Sequence, residues 1–354
     1  MTIDLPGRLR ADDGAEDFEP ALPAMPPLPI IEWSKSKLSA PQLLETTAGT
    51  LPDADVVLIT WASAEWAAMH HVFCASDSSL KYADGSPSTL AGWQKFDWSL
   101  VSREIGYWGY YRLVGVGATK VLLFKSNVHL DESNGQANLE AMVDALVSGT
   151  HCSLVLSIGT AGGTVTTDNV GTVRAVSAGT LYGQGNPSSW PKYSSSWTAN
   201  SPLSSASSFS SLLMPIPTTA ADLNELCRQF NSHHSSTYSL SELAPGGLCL
   251  GTLSPQVHDQ TGGAASLLTA TTFVVGTTKG ELSDYTCIEM DDAVIGAACD
   301  RLKIKFGFIR NVSDPVQNAV LPTPIQRTWG STIYQTDGLY TRYNGALAAL
   351  ASIS

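Results

Sequence analysis

Residues 285–316 read YTCIEMDDAVIGAACDRLKIKFGFIRNVSDPV, and this stretch decides the fold. It opens with a short strand ending in Cys287-Ile288-Glu289-Met290. A helix follows, because Ile295, Ala298, Cys299 and Leu302 fall on one face at a period of 3.6. The segment 304–312 is apolar over most of its length, as a strand buried on both faces is, and it ends in Arg310-Asn311-Val312-Ser313-Asp314. The pattern predicts two parallel strands joined by one crossover helix, each with acidic groups at its carboxyl end. Ligands of open α/β sheets bind at those ends.

Outward from this stretch the same alternation continues. Val56-Val57-Leu58-Ile59-Thr60 is a strand that leads into helix formers at 64–69. Segments 110–115 and 120–125 predict two strands around a glycine turn. In 138–147, Leu139, Met142, Val143 and Leu146 share one helical face, and the apolar strand 153–158 follows. Strand, helix, strand predicts a right-handed parallel unit. Further strands are expected at 170–176 and 270–275, a helix at 220–230 capped by Thr218 or Thr219, and an amphipathic helix at 340–351. Residues 1–50 are rich in proline and acid and read as an extended arm, wrapped on the domain or a partner, or mobile. Residues 186–217 are dominated by serine and read as an inserted surface loop or lid, or as a disordered insertion. The expectation is one α/β domain over 51–354, with a central mixed, largely parallel sheet flanked by helices.

Composition bounds the function. With 43% hydrophobic residues among 354, the chain can bury a large core. A net charge of −12 argues against a nucleic-acid backbone or an anionic membrane as main partner. The cysteines Cys74, Cys152, Cys227, Cys249, Cys287 and Cys299 form no C-x-x-C pair, so neither a zinc site nor a disulfide framework is expected. No signal core and no run of transmembrane length is visible, which predicts a cytoplasmic protein.

Carboxylates gather where the strands end. Asp314 follows a buried strand and precedes Pro315; a partly desolvated carboxyl there would have a raised pKa and could donate a proton. It could equally satisfy the amides of a turn. Glu65 stands just past the first strand, as a second carboxylate on the rim or as an exposed helix residue. Glu289 and Asp291 flank Met290; one could accept hydrogen bonds from vicinal hydroxyls while the other is held structurally. Gly159-Thr160-Ala161-Gly162-Gly163 reads as a loop whose amides can approach a bound oxygen closely, or as a plain tight turn.

Three motifs together resemble the nucleoside phosphorylase and nucleosidase superfamily. Val155-Leu-Ser-Ile-Gly-Thr-Ala-Gly-Gly163 is similar to its central glycine motif, Ile288-Glu-Met-Asp-Asp-Ala293 to its ribose motif, and Arg310-Asn-Val-Ser-Asp314 to its R-x-x-S-D motif. The resemblance spans about residues 55–350, apart from the serine-rich insertion. It implies a nucleoside phosphorylase-like fold, no cofactor and no metal, a purine nucleoside as substrate, and a homo-oligomer. It assigns Asp314, aided by Ser313, to N7 of the leaving purine, and Phe273 to stacking on the base. Met290 would lie under the ribose, Asp291 would take its 2′ and 3′ hydroxyls with Glu289 in support, and Thr160 and Gly162 would orient the nucleophile. Three features depart from the family: Thr172 replaces an aspartate, Asp291 replaces a glutamate, and 125–132 (KSNVHLDE) replaces a glycine-rich stretch.

A phosphorylase needs cationic donors around its phosphate, and the loop Thr60-Trp-Ala-Ser-Ala-Glu65 carries none. Lys125 is followed by Asp131 and Glu132, while Arg112 and Arg174 fall within strands. Glu65 matches the position at which nucleosidases of this kind keep a water-activating glutamate. The sequence therefore favours hydrolysis of an adenosine-type nucleoside, with phosphorolysis second and a non-catalytic nucleoside binder third.

Overall fold

The computed structural model describes residues 26–47, 49–75, 92–97, 107–130, 133–164, 170–183, 186–200, 209–216, 218–243, 256–270, 284–315 and 321–354. The strands in chain order are β1 (Gln42–Leu43), β2 (Val56–Thr60), β3 (Gln94–Asp97), β4 (Tyr107–Val116), β5 (Thr119–Ser126), β6 (Leu154–Gly163), β7 (Val173–Val176), β8 (Ala178–Leu181), β9 (Lys192–Ser194), β10 (Val257–Asp259), β11 (Leu267–Thr269), β12 (Cys287–Glu289) and β13 (Lys305–Pro315). The helices are α1 (Ser63–Cys74), α2 (Gly135–Thr150), α3 (Ala220–His234), α4 (Leu240–Leu243), α5 (Asp292–Leu302) and α6 (Thr323–Ile353). The described strands belong to one mixed sheet, parallel at β5, β2, β6 and β13, again at β12, β11 and β8 and at β7 and β10, and antiparallel where β1, β3 and β5 pair with β4, β12 with β6, β7 with β13 and β9 with β8. The α/β expectation of a central, largely parallel sheet flanked by helices holds.

Apolar side chains explain the layering. Trp66, Met69, Val72 and Phe73 of α1 share one buried cluster with Tyr343, Leu347 and Leu350 of α6. Leu139, Met142, Val143 and Leu146 of α2 join Ile295, Ala298 and Cys299 of α5 in another. Strand β6 is the axis between these layers. Its start pairs in parallel with β2, and its whole length pairs in parallel with β13 on the other edge. At its end the edge vacated by β2 takes β12, antiparallel, with Ile288 opposite Gly162.

This pairing corrects the first expectation. β12 and β13 run in opposite directions, because one is antiparallel and the other parallel to β6. Their acidic ends still meet, since both lie against the upper end of one long strand. The stretch 159–163 is also not a loop: it continues β6, paired with β13 throughout and with β12 at Gly162 and Gly163. The strand expected at 170–176 is shorter, beginning at Val173 after Gly171 at φ +92°. The strand expected at 270–275 lies outside the described residues from 271 on; the observed β11 precedes it.

The terminal helix differs more. It begins at Thr323, and residues 340–353 are buried on every side rather than on one face. The described part of the arm covers it, with Leu28, Ile31 and Leu38 buried in the α1–α6 cluster. The Tyr340 hydroxyl donates to Pro26 O, and His71 Nε2 lies 2.8 Å from Pro29 O. The described parts of 186–217 are not a surface loop either. They supply β9 and the buried side chains Trp197, Phe209 and Ile216, while the Tyr343 hydroxyl donates to Leu212 O at 3.0 Å. Among the described residues, no helix is long and apolar enough to cross a membrane.

The indole of Trp197 occupies the space beside Gly307 in β13. A Cβ built on Gly307 would come within 2.0 Å of the indole. Gly307→Ala is expected to cost about 1–3 kcal/mol in urea unfolding, through displacement of Trp197. A change below about 0.5 kcal/mol would show that the indole is not seated there.

Candidate active site

Glu65 is set in place by the start of α1. It is the third helical residue, so its carboxylate reaches back to unsatisfied amides at the helix entry. Oε2 accepts from the N–H of Ala62 at 2.9 Å, from the N–H of Trp61 at 3.2 Å and from the Thr60 hydroxyl at 3.2 Å. Oε1 crosses to β6 and accepts from both the N–H of Thr160, at 2.8 Å, and its hydroxyl, at 2.9 Å. Glu65 is 5% exposed, so the reading of it as an exposed helix residue is excluded. Gly159 makes the approach possible: a Cβ there would meet Oε1 of Glu65 at 3.0 Å and Nη1 of Arg310 at 2.3 Å.

Arg310 projects from β13 beneath this point. Its Nε donates to Asp292 Oδ2 at 2.7 Å, and Nη2 donates to Ser157 Oγ at 2.6 Å and to Asp292 Oδ1. Nη2 also lies 3.4 Å from Glu289 Oε2. Glu289 caps the entry to α5, its Oε2 accepting from the N–H of Asp291 at 2.7 Å and of Asp292 at 2.9 Å. Its Oε1 accepts from the Thr269 hydroxyl, which in turn accepts from the N–H of Ala293 at 2.8 Å.

Burial, together with the Asp292 carboxylate, pushes Glu289 up to about 8. Asp292 is also raised by burial, against the pull of Arg310. For Arg310 burial opposes the charge, but the facing carboxylates of Asp292 and Glu289 outweigh it and hold the guanidinium above its ordinary pKa. One cation between two carboxylates balances when one of them keeps its proton.

Asp291 points elsewhere. Its Oδ1 accepts from the N–H of Leu130 at 2.9 Å, and its Oδ2 lies 3.4 Å from Nδ1 of His129. The loop after β5 therefore closes onto the candidate sugar carboxylate. Met290 beside it is half-buried.

The backbone brings the remaining candidates to the same level. Val312 pairs with Ala161 and Asp314 with Gly162, leaving Ser313 as the extra residue of a bulge. Bulges of this kind end regular pairing and occur beside active sites. Ser313 Oγ donates to Ala161 O at 3.4 Å. Thr160, Gly162, Ser313, Glu65, Glu289 and the backbone of Asp314 thus gather around the upper end of β6, with Asp291 and Met290 following Glu289. Phe273 lies outside the described residues.

Sequence reasoning gave no role to Arg310, Ser157 or Thr269, and noted His129 only as a departure. A lone arginine in a buried apolar strand was the available signal, since such a charge demands a buried acid.

The proton held by Glu289 links stability to pH. Its folded pKa lies above the ordinary carboxylate value of about 4.3, so the folded state binds more protons than the unfolded chain in between. Stability is full below that window and falls as pH rises through it to about 8. The melting temperature is expected to drop across this range and to flatten in Glu289→Gln. An unchanged slope in the variant would place the proton elsewhere.

No family model matches the chain, and no curated protein matches it. Among solved structures it is similar to the futalosine hydrolase of Helicobacter pylori, at 8% identity over 84% of this chain and 96% of that one, with a TM-score of 0.46. It is similar to the S-adenosylhomocysteine nucleosidase of Streptococcus pyogenes, solved with 5-methylthiotubericidin, at 13% identity over 87% and 98% and a TM-score of 0.47. A third is the 5′-methylthioadenosine/S-adenosylhomocysteine nucleosidase of Neisseria meningitidis, at 13% identity over 85% and 100% and a TM-score of 0.46. All three belong to the superfamily that the three sequence motifs resemble.

Proposed function

We propose that this protein hydrolyses the N-glycosidic bond of a purine nucleoside of the adenosine type. The observation that carries the reading is the link between Glu65 and Thr160, which joins a carboxylate on α1 to the end of β6, beside the paired backbones of Gly162 and Asp314. In this reading Glu65 is the general base. The Thr160 hydroxyl donates to Glu65 and keeps two lone pairs for a water. A water donating to Thr160 passes its proton through that hydroxyl to Glu65 as its oxygen attacks the anomeric carbon. Asp314, aided by Ser313, protonates the departing base at N7, while Phe273 stacks on it. Met290 lies under the sugar and Asp291 takes its hydroxyls.

Electrostatics supports water over phosphate. N-glycosidic cleavage passes through an oxocarbenium-like state, which anionic surroundings stabilise. Glu65 and Asp291 supply those surroundings, while the charge of Arg310 is matched by Asp292 and its donors are engaged by Asp292 and Ser157. A phosphate dianion placed beside these carboxylates would meet repulsion without a clamp. We further propose that the chain works as a homo-oligomer, with residues 1–50 an arm attached to the catalytic domain.

Base release from adenosine-type nucleosides is expected in phosphate-free buffer, followed by chromatography of the free purine. Asp314→Asn should abolish it, and Glu65→Gln should lower kcat by about 10²–10⁴-fold, with each variant's melting temperature recorded as a check of folding. Turnover that appears only with added phosphate would replace this reading with phosphorolysis. Tight binding without release of base would make the protein a nucleoside carrier.

A further inference from the structure

Glu65 and Thr160 carry the proposed activation of water, and one further residue touches the supports of both. We propose that Trp61 is a positioning residue, which holds the Glu65–Thr160 link in the geometry that activates water. This rests on the nucleosidase reading and deepens it.

Trp61 stands in the turn between β2 and α1 and is 2% exposed. Its backbone N–H donates to Glu65 Oε2 at 3.2 Å, while Oε1 of the same carboxylate takes the N–H and the hydroxyl of Thr160. The carbonyl of Thr160 in turn accepts a long hydrogen bond, 3.5 Å, from Nη1 of Arg310. The guanidinium carbon of Arg310 lies 5.3 Å from the centroid of the Trp61 ring, within the range of a cation–π contact. The contacts close a circuit from Trp61 to Glu65, Thr160, Arg310 and back to Trp61. It spans the entry to α1, the end of β6 and β13.

The indole is itself pinned. Its N–H, the one polar group of the side chain, donates to Val128 O at 2.9 Å in the loop after β5. A smaller apolar residue would leave the backbone N–H on Glu65, but would offer no face to the guanidinium and no donor to Val128. A carboxylate whose two oxygens serve two elements keeps its aim only while those elements keep their spacing. Misplacement by about 1 Å can cost about 10²-fold in rate.

A double-mutant cycle with adenosine in phosphate-free buffer tests this. The kcat and KM are measured for the wild type, Trp61→Phe, Trp61→Leu, Glu65→Gln and each Trp61 variant combined with Glu65→Gln, with every melting temperature recorded. Trp61→Leu should lower kcat by about 10- to 100-fold and leave KM within about threefold. Trp61→Phe keeps a ring over Arg310 and should lose only about 3- to 10-fold, which also reads the effect if the leucine variant does not fold. In the Glu65→Gln background either change should cost no more than about twofold, because both act through one carboxylate. Wild-type kcat in a folded Trp61 variant, a rise in KM alone, or the same loss with and without Glu65 would overturn the inference and leave the nucleosidase reading standing. If the wild type releases no base, or Glu65→Gln keeps full turnover, that reading falls and this role with it.

Discussion

The buried guanidinium of Arg310 is the constraint on which the rest of the structure depends. A cation removed from water is tolerable only when its donors are met by acceptors and its charge by acids. Asp292, Ser157 and Glu289 meet those demands from α5, β6 and β12, while Arg310 itself stands on β13. The four elements are thereby fixed around one point. Removing the cation would leave the two carboxylates facing each other, so the network specifies this arrangement of strands against looser alternatives.

Above that floor the candidate site is an arrangement of helix and strand ends. Glu289 is spent on the amides that open α5 and on Thr269, which leaves Asp291 to turn towards the loop after β5. Glu65 is spent partly on the amides that open α1, yet its other oxygen reaches Thr160. Two carboxylates at helix entries thus do different work. One is raised in pKa and structural; the other spans to the end of β6. The bulge at Ser313 interrupts the pairing of β13 at the same level.

Much of this was legible in local patterns. The strand at 56–60, the helices beginning near 64 and 138, and the strand–helix–strand unit around Glu289 and Asp314 each follow from periodicity within some ten residues. What was not legible depended on distant neighbours. The glycines of 159–163 read as a loop, whereas Gly159 serves a strand that must admit Arg310 and Glu65 at close range. The serine-rich composition of 186–217 concealed Trp197 and Ile216, which anchor that segment in the core. The last helix read as amphipathic because nothing local announces that the arm and this segment cover its outer face. The contact between Glu65 and Thr160 joins residues 95 positions apart; the motif resemblance gave each a role at the nucleophile, but nothing in the sequence announced that they touch.

The central claim is that water is the nucleophile at the end of β6. Turnover of adenosine in ¹⁸O-enriched water containing phosphate, with mass analysis of the sugar product, tests it most directly. The account requires free ribose carrying one ¹⁸O atom at the anomeric carbon. Unlabelled ribose 1-phosphate would contradict it.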